Sequence, residues 1–269
     1  MERVQTFHQL HQSGCFVMPN PWDRGTAILL EQMGFKALAT TSAGLGFSLG
    51  RVDQVGALSL EETLENIRTV VEATSLPVNA DFQDGFSPHL EGVAHNVALC
   101  VATGVAGLSI EDATGDDACP LYERQRSIDR VKAARAAIDA GGIPVVLTAR
   151  CEAWLVGDER PFETALDRLV AYAEAGADCL YAPGVKSVEQ IKALVEAVHP
   201  KPLNLLVSSP GVTLAELAEI GVRRISVGSA LARVAWGGFM RAADDLAKGD
   251  FKGLAEATPF PTLNEIFAT

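Results

Sequence analysis

The chain has 269 residues, of which 48% are hydrophobic, and its 34 acidic residues against 22 basic ones give a net charge of −12. This length allows one large α/β domain or two small ones with a sizeable core. The acidic balance argues against a nucleic-acid-binding protein, because a phosphate backbone needs a basic face. Five scattered cysteines and no apolar run of transmembrane length indicate a cytoplasmic protein with reduced thiols.

Short apolar runs alternate with amphipathic segments along the whole chain. The runs are nearly continuous, as in parallel strands that are covered on both faces, and they predict strands at 15–19, 35–41, 76–81, 106–112, 143–150, 178–183, 202–207 and 223–229. Helices are predicted between them at 24–33, 59–74, 90–103, 123–140, 160–175, 187–198, 213–220 and 230–247. Several of these helices end at a glycine directly before the next strand.

Eight βα units in about 250 residues indicate a (β/α)8 TIM-type barrel, with a doubly wound open sheet as the alternative. No linker divides the chain, so we treat 1–269 as a single barrel domain in which 236–269 form a C-terminal helical extension. The end of the chain, 248–269, is predicted to form one or two short helices. The segment GLGFSLG at 44–50 is predicted to be a mobile loop, because its glycines miss the dinucleotide-binding spacing and no helix follows.

Polar side chains collect where the predicted strands end, which is the face that carries the active site in barrel enzymes. These residues are Thr40, Thr41 and Ser42 after the second strand, Asp53 in the following loop, Asn79 and Asp81, Glu111, Arg150, and Asn204. Carboxylates on neighbouring strand ends, with no lysine nearby, predict a hard divalent cation, Mg²⁺ or Mn²⁺. An arginine opposite the metal suits a substrate carboxylate. Together they predict a site for a small anionic oxo acid, in which the metal stabilises an enolate.

Simpler interpretations exist for some of these side chains. A single aspartate at a strand end is more often a helix cap than a ligand, and we interpret Asp84 and Asp112 as caps or as supports behind the ligands. Arg150 has Glu152 two residues away, and the pair is also compatible with a purely structural ion pair.

Four segments in order resemble the isocitrate lyase/phosphoenolpyruvate mutase superfamily, and the resemblance extends over nearly the whole chain. TTSAGLGFSLGRVD corresponds to a substrate loop, PVNADFQDGF to a D-x-D metal strand, GLSIEDATG to an I-E-D metal strand, and LTARCEAW to a carboxylate-binding strand. The resemblance implies that Asp81 and Glu111 hold the metal, that Asp53 does so through water, that Arg150 grips the substrate carboxylate, and that residues 40–42 bind the oxo acid. It also implies a last helix, in WGGFMRAADDLAKGDF, that is exchanged between the subunits of a homodimer or homotetramer.

Two positions depart from the superfamily pattern, and the loop after Glu111, ATGDDACPLYE, lacks both the lyase motif and the mutase motif. Asn79 stands where we expect the first acid of D-x-D, and its amide oxygen would accept a hydrogen bond from a metal-bound water. Cys119 follows Glu111 by the spacing of the lyases' proton-donating cysteine, but it lacks the basic neighbours that would acidify its thiol, so an ordinary loop cysteine is the alternative.

The sequence therefore predicts a Mg²⁺-dependent lyase that cleaves a C–C bond of a small 2-hydroxy or 2-oxo (di)carboxylate through a metal-stabilised enolate. The alternatives are a mutase or hydrolase acting on a P–C bond, and a barrel that binds an oxo acid without turnover.

Overall fold

The computed structural model describes residues 1–268, and within them eight parallel strands form one sheet in the order β1-β8-β7-β6-β5-β4-β3-β2. The strands are β1 Phe16–Met18, β2 Leu38–Ala39, β3 Val78–Asp81, β4 Gly107–Glu111, β5 Val146–Arg150, β6 Cys179–Tyr181, β7 Leu203–Leu206 and β8 Arg224–Ser226. The amide of Ala39 donates to the carbonyl of Pro19, 3.0 Å away, so the first two strands also meet and the barrel is nearly closed. The predicted (β/α)8 barrel is confirmed, and the doubly wound alternative is wrong.

Helices surround the strands and join each one to the next. They are α1 Glu2–Gln12, α2 Arg24–Gln32, α3 Ser42–Ser48, α4 Leu60–Glu72, α5 Leu90–Ala102, α6 Arg124–Gly141, α7 Pro161–Glu174, α8 Val188–Val198, α9 Leu214–Glu219, α10 Ala230–Ala247 and α11 Phe260–Phe267, with a 3-10 helix at Lys252–Glu256. All eight predicted helices are present with boundaries within two residues, and the predicted short helices follow at the end of the chain. The division of the chain at residue 236 falls inside α10 and stays a prediction.

The prediction of a mobile loop at 44–50 was wrong, because this segment forms most of α3. The Thr41 hydroxyl accepts a hydrogen bond from the Gly44 amide at 3.2 Å and caps the helix. Glycine lowers helix propensity, but here the small residue is needed for packing. A Cβ added to Gly44 would lie 3.2 Å from the Cβ of Trp22 and 3.4 Å from the Cβ of Ala232. Tertiary contacts therefore outweigh the local preference.

The interior of the barrel is polar, although barrel interiors are usually filled by branched apolar side chains. Along each strand, buried apolar residues such as Leu108, Leu147 and Ile225 face the helices. The intervening positions point inward, and they include Ser109, Thr148, Arg150, Asn204, Arg224 and Ser226. The sequence therefore places hydrogen-bonding groups inside the barrel as well as at its mouth.

Helix α1 covers the end of the barrel at which the strands begin. Its Phe7 ring lies so close to β4 that a Cβ on Gly107 would be 2.7 Å from the ring edge and 2.8 Å from Oδ1 of Asn79. Only glycine fits at this position. Among the described residues, no helix is long and apolar enough to cross a membrane.

Candidate active site

Arg150 lies at the centre of a cluster of carboxylates at the C-terminal end of the strands. The register of β4 and β5 places Glu111 beside Arg150. The Nη1 atom of Arg150 is 3.2 Å from Oε2 of Glu111 and 3.4 Å from Oδ1 of Asp81. Its Nε and Nη2 atoms donate to the two carboxylate oxygens of Glu152. The fold therefore brings Asp81, Glu111 and Arg150 together as the sequence predicts, with Glu152 added.

Negative charge exceeds positive charge in this cluster. Burial raises the pKa of the Glu111 carboxyl well above its usual range, the nearby charges of Glu152 and Asp81 add to the rise, and Arg150 opposes it. Burial also raises the pKa of Glu152. Burial alone would lower the pKa of Arg150, but Glu111 and Glu152 hold it well above its ordinary value. A further cation at this position would relieve the repulsion between the acids.

The predicted substrate loop, residues 40–42, lies directly against Asp81. The backbone amide and the hydroxyl of Ser42 both donate to Oδ2 of Asp81, each at 2.9 Å. The amide of Asp81 donates to the Thr40 hydroxyl at 2.9 Å. Thr41 caps α3 and thereby fixes where Ser42 begins the helix. These contacts hold the Asp81 carboxylate with its other oxygen toward Arg150.

Asp53 and Cys119 lie on the loops outside the strands. Partial desolvation raises the pKa of Asp53, the charge of Asp81 raises it further, and Arg150 opposes both effects, so Asp53 lies within electrostatic range of the cluster. Cys119 is exposed on the loop after β4 and does not line the cavity in front of Arg150. The two loops touch, because a Cβ on Gly115 would lie 2.6 Å from the Cβ of Val55. The role of Cys119 as a proton donor stays a prediction.

A cavity of about 40 Å³ continues from Arg150 into the barrel. It is lined by Met18, Asn20, Ala39, Thr40, Asn79, Asp81, Ser109, Arg150, Tyr181, Asn204, Arg224, Ser226 and Gly228. Asn204 is present as predicted, but its amide donates to Ser226 Oγ at 2.9 Å and accepts from Arg224 Nε at 2.8 Å. Asn79 donates to the Ala80 carbonyl at 3.1 Å, while its buried Oδ1 has no hydrogen-bond partner.

Sequence reasoning missed Tyr181, Arg224 and Ser226, which also line the cavity. The Tyr181 ring centroid is 5.3 Å from Cζ of Arg150, and burial raises the pKa of the phenol to about 12, so it stays protonated at neutral pH. The sequence RRISVG at 223–228 contains a signal for Arg224 and Ser226. Side chains of a strand alternate between its two faces, so these two residues share a face with Gly228.

Asp84 and Asp112 support the site from outside, and neither caps a helix. Asp112 accepts from the Glu152 amide at 2.8 Å, from Arg168 at 2.9 Å and from the Tyr172 hydroxyl at 2.7 Å. Asp84 accepts from Arg130 at 3.1 Å, from the Tyr122 hydroxyl at 3.0 Å and from the Phe86 amide at 2.9 Å. The interpretation of both aspartates as supports agrees with these contacts.

The donor atoms of the cluster fit a magnesium ion, although no preformed site of three ligands exists. Within residues 1–268, no three His, Cys, Asp or Glu side chains are grouped closely enough to hold a metal by themselves. Oxygens of Asp81 and Glu111 nevertheless converge on one cationic nitrogen. Oxygen donors and excess negative charge suit Mg²⁺, which keeps several waters in protein sites.

A (β/α)8 barrel with carboxylates and an arginine at the C-terminal ends of its strands has the architecture of a barrel enzyme, whose active site lies at that face. Residues 7–247 match the family model for phosphoenolpyruvate phosphomutase, and the chain belongs to this family. The predicted isocitrate lyase/phosphoenolpyruvate mutase superfamily and the prediction of an enzyme of its carbon–carbon lyase type are thereby confirmed. The alternative of a barrel without turnover loses its support.

Similar proteins span three quarters of the chain or more. A crystal structure from Burkholderia cenocepacia J2315, described in general terms as a lyase/mutase, is 44% identical with a TM-score of 0.95 and covers 100% of this chain and 97% of its own. A 2,3-dimethylmalate lyase from Eubacterium barkeri is 30% identical over 76% of this chain and 67% of its own length. An oxaloacetate decarboxylase from Rhodopseudomonas palustris BisB5 is 27% identical over 81% of this chain and 74% of its own.

Proposed function

We propose that the protein is a Mg²⁺-dependent lyase that cleaves a carbon–carbon bond of a small 2-hydroxy or 2-oxo dicarboxylate. The observation that carries this proposal is the position of Arg150, whose guanidinium faces the cavity within 3.4 Å of both Asp81 and Glu111. The guanidinium of Arg150 can bind an anionic substrate, and the excess of carboxylates beside it can bind a divalent cation. The relatives that cleave dimethylmalate and decarboxylate oxaloacetate both break C–C bonds of small dicarboxylates, which supports the same reaction class here.

In this proposal Asp81 and Glu111 would hold the metal, and Asn79 and Asp53 would contribute through water. When bound, Mg²⁺ (or Mn²⁺) would act as a Lewis acid that polarises an oxygen of the substrate. Ser42 keeps the Asp81 carboxylate in place through its amide and hydroxyl. The site thereby gains its geometry from the start of α3 as well as from the strands.

Arg150 binds the substrate carboxylate next to the reacting carbon atom. Glu152 fixes the plane of the guanidinium by accepting from Nε and Nη2. In the loop of residues 40–42, the amide and hydroxyl of Ser42 are taken up by Asp81. The hydroxyls of Thr40 and Thr41 each accept from a backbone amide and keep a hydrogen to donate, which suits the oxo oxygen. Asn204 takes part by orienting Arg224 and Ser226, because both ends of its amide are engaged by these two side chains.

We infer that Tyr181 supplies the proton that ends the reaction. Its phenol lines the cavity beside Arg150 and stays protonated at neutral pH. Cys119 is exposed on its loop and does not line the cavity, so it is the weaker candidate. A neutral phenol donates a proton to a carbanion-like carbon and can recover it from solvent between turnovers.

Chemistry at a P–C bond is a second candidate, and the family model for a phosphomutase favours it. A phosphonate and a carboxylate are both oxyanions that an arginine binds in the same way. One screen separates the two candidates: C4–C7 dicarboxylates and phosphonopyruvate are incubated with purified protein and Mg²⁺, and products are followed by ¹H and ³¹P NMR. Turnover of a dicarboxylate that is lost in Arg150→Ala supports the lyase. If the protein instead releases or transfers phosphorus from phosphonopyruvate, it acts on a P–C bond and the lyase proposal is wrong.

We also propose that the protein forms a homodimer or homotetramer by exchange of α10. Of the 18 residues of this helix, only Ala232 is buried, and Val234, Phe239 and Met240 are each at least 64% exposed. Exposed apolar side chains in one helix are typical of an interface. Light scattering should give a dimeric or tetrameric mass, and Phe239→Glu should lower it.

We also propose that the protein is cytoplasmic, because its five cysteines are free thiols.

A further inference from the structure

Arg224 is a buried cation with no acidic partner among residues 1–268. Its side chain is 1% exposed and lies inside the barrel on β8. The other two buried arginines of residues 1–268, Arg130 and Arg168, are each paired with an aspartate, at 3.1 and 2.9 Å respectively. Arg224, by contrast, forms no ion pair within this described part of the chain. A buried charge without a counter-charge is costly, and an anionic ligand beside Arg224 would offset that cost.

The three groups that contact Arg224 are neutral acceptors. Its Nε donates to Asn204 Oδ1 at 2.8 Å, its Nη2 donates to Thr148 Oγ1 at 3.0 Å, and its Nη1 lies 3.2 Å from Nε2 of His11. Because arginine only donates, Nε2 of His11 must be the acceptor, and Nδ1 then carries the proton that is donated to the Phe7 carbonyl at 2.7 Å. Burial and the charge of Arg224 lower the pKa of His11 to about 3, so this ring adds no charge.

The guanidinium keeps donors for a further ligand. It has five N–H groups, and the three neutral contacts use one on each nitrogen. One N–H therefore remains on Nη1 and one on Nη2. Arg224 lines the same cavity as Arg150, and that cavity, at about 40 Å³, has room for roughly three groups the size of a water molecule. A carboxylate has three heavy atoms and two acceptor oxygens.

We propose that Arg224 forms a second anion subsite inside the barrel, which receives the second carboxylate of the substrate. Arg150 holds one carboxylate at the mouth, Arg224 holds the other deeper in the cavity, and the enzyme prefers dicarboxylates to monocarboxylates for this reason. This inference deepens the proposed function and rests on it.

The test compares binding of succinate, malonate and pyruvate by calorimetry, in the presence of Mg²⁺, to wild type, Arg224→Gln and Arg224→Lys. Arg223→Gln is the matched control, because this neighbouring arginine faces outward and donates to the Gly14 carbonyl at 3.2 Å. We expect Arg224→Gln to weaken binding of at least one dicarboxylate roughly 10- to 100-fold, the loss of one charged hydrogen-bonded pair. The affinity of Arg224→Gln for pyruvate, and all affinities of the Arg223→Gln control, should equal those of wild type.

If Arg224→Gln loses equal affinity for pyruvate and the dicarboxylates, or loses affinity for none of them, the proposed subsite is wrong. If wild type binds neither pyruvate nor a dicarboxylate, the proposed function itself fails, which is a distinct result. Folding of Arg224→Gln is checked by circular dichroism. If this variant does not fold, NMR of the arginine Nε–H groups of wild type provides the test, with the Arg224 resonance assigned by its absence in Arg224→Lys. This resonance should shift on addition of the dicarboxylate but not of pyruvate. A resonance that does not shift with the dicarboxylate would overturn the proposal.

Discussion

Arg150 donates from Nε and Nη2 to the two carboxylate oxygens of Glu152, its neighbour two residues along the chain. The same guanidinium keeps Nη1 toward Asp81 and Glu111. The structural interpretation of the Arg150–Glu152 pair and the substrate-binding interpretation are therefore compatible. Glu152 orients the guanidinium, and a substrate would compete only for the side that faces the cavity.

Glu152→Gln should raise KM for the oxo acid more than it lowers kcat. The amide accepts at only one atom, so Arg150 loses one charged hydrogen bond and its fixed plane, which corresponds to about a tenfold change in KM. Steady-state kinetics on the substrate found in the screen provide the measurement. Glu163→Gln on the exposed start of α7 is the control. An unchanged KM in Glu152→Gln would rule out this orienting role.

Tyr181→Phe should lower kcat about 10²- to 10⁴-fold while leaving substrate binding intact, because the phenol contributes a proton rather than affinity. Calorimetry with a substrate analogue and turnover assays on the same preparation separate the two effects. Tyr172→Phe is the matched control, because that hydroxyl donates to Asp112 at 2.7 Å outside the cavity. Near-normal turnover in Tyr181→Phe would leave Cys119 as the candidate to test next.

The order of strands and helices could be predicted because it depends on local signals. Apolar runs, the Ser59–Glu62 capping box and glycines after helices are visible in the sequence, and the structure keeps all of them. Helix α3 could not be predicted from propensity, because Gly44 is favoured by close contact with Trp22 and Ala232, which are distant in sequence.

The acids at the strand ends were predictable for a similar reason, since parallel strands all end at one face. The polar interior was not, because the alternation in RRISVG puts Arg224 and Ser226 on one face without showing that this face is the inner one. Whether Arg224 points into the barrel depends on the parity of β8 relative to its neighbours, and a shift of one residue would turn it outward. The pairing of Arg150 with both Asp81 and Glu111 likewise depends on the register of three strands.

Mg²⁺ binding should release protons and become tighter as pH rises. The metal needs ionised carboxylates, and burial with like-charged neighbours raises the pKa of Glu111 and of Glu152. Between the ordinary glutamate pKa and the raised values, the folded protein binds more protons than the unfolded chain, so these two groups favour folding less as pH increases. Calorimetry at about pH 6 and about pH 8, in buffers of different ionisation enthalpy, measures the release. Binding without proton release at the lower pH would contradict the ligand assignment.

Arg168→Met should lower the free energy of unfolding by about 3–5 kcal/mol, because it leaves the buried Asp112 carboxylate without its cation. Arg168 and Asp112 are joined at 2.9 Å with both side chains nearly inaccessible. Arg124→Gln is the control, because its pair with Asp167 is exposed and should contribute at most about 1 kcal/mol. Urea unfolding monitored by circular dichroism gives both values, and equal effects would contradict the supporting role of Asp112.

Exchange of the methyl protons of pyruvate for deuterium in D₂O tests the enolate site most directly, because it requires no knowledge of the natural substrate. We expect folded wild-type protein with Mg²⁺ to catalyse this exchange, and we expect chelation of the metal or Arg150→Ala to abolish it. No exchange above the uncatalysed rate in folded, Mg²⁺-supplied wild type would contradict the proposed carbon–carbon lyase mechanism.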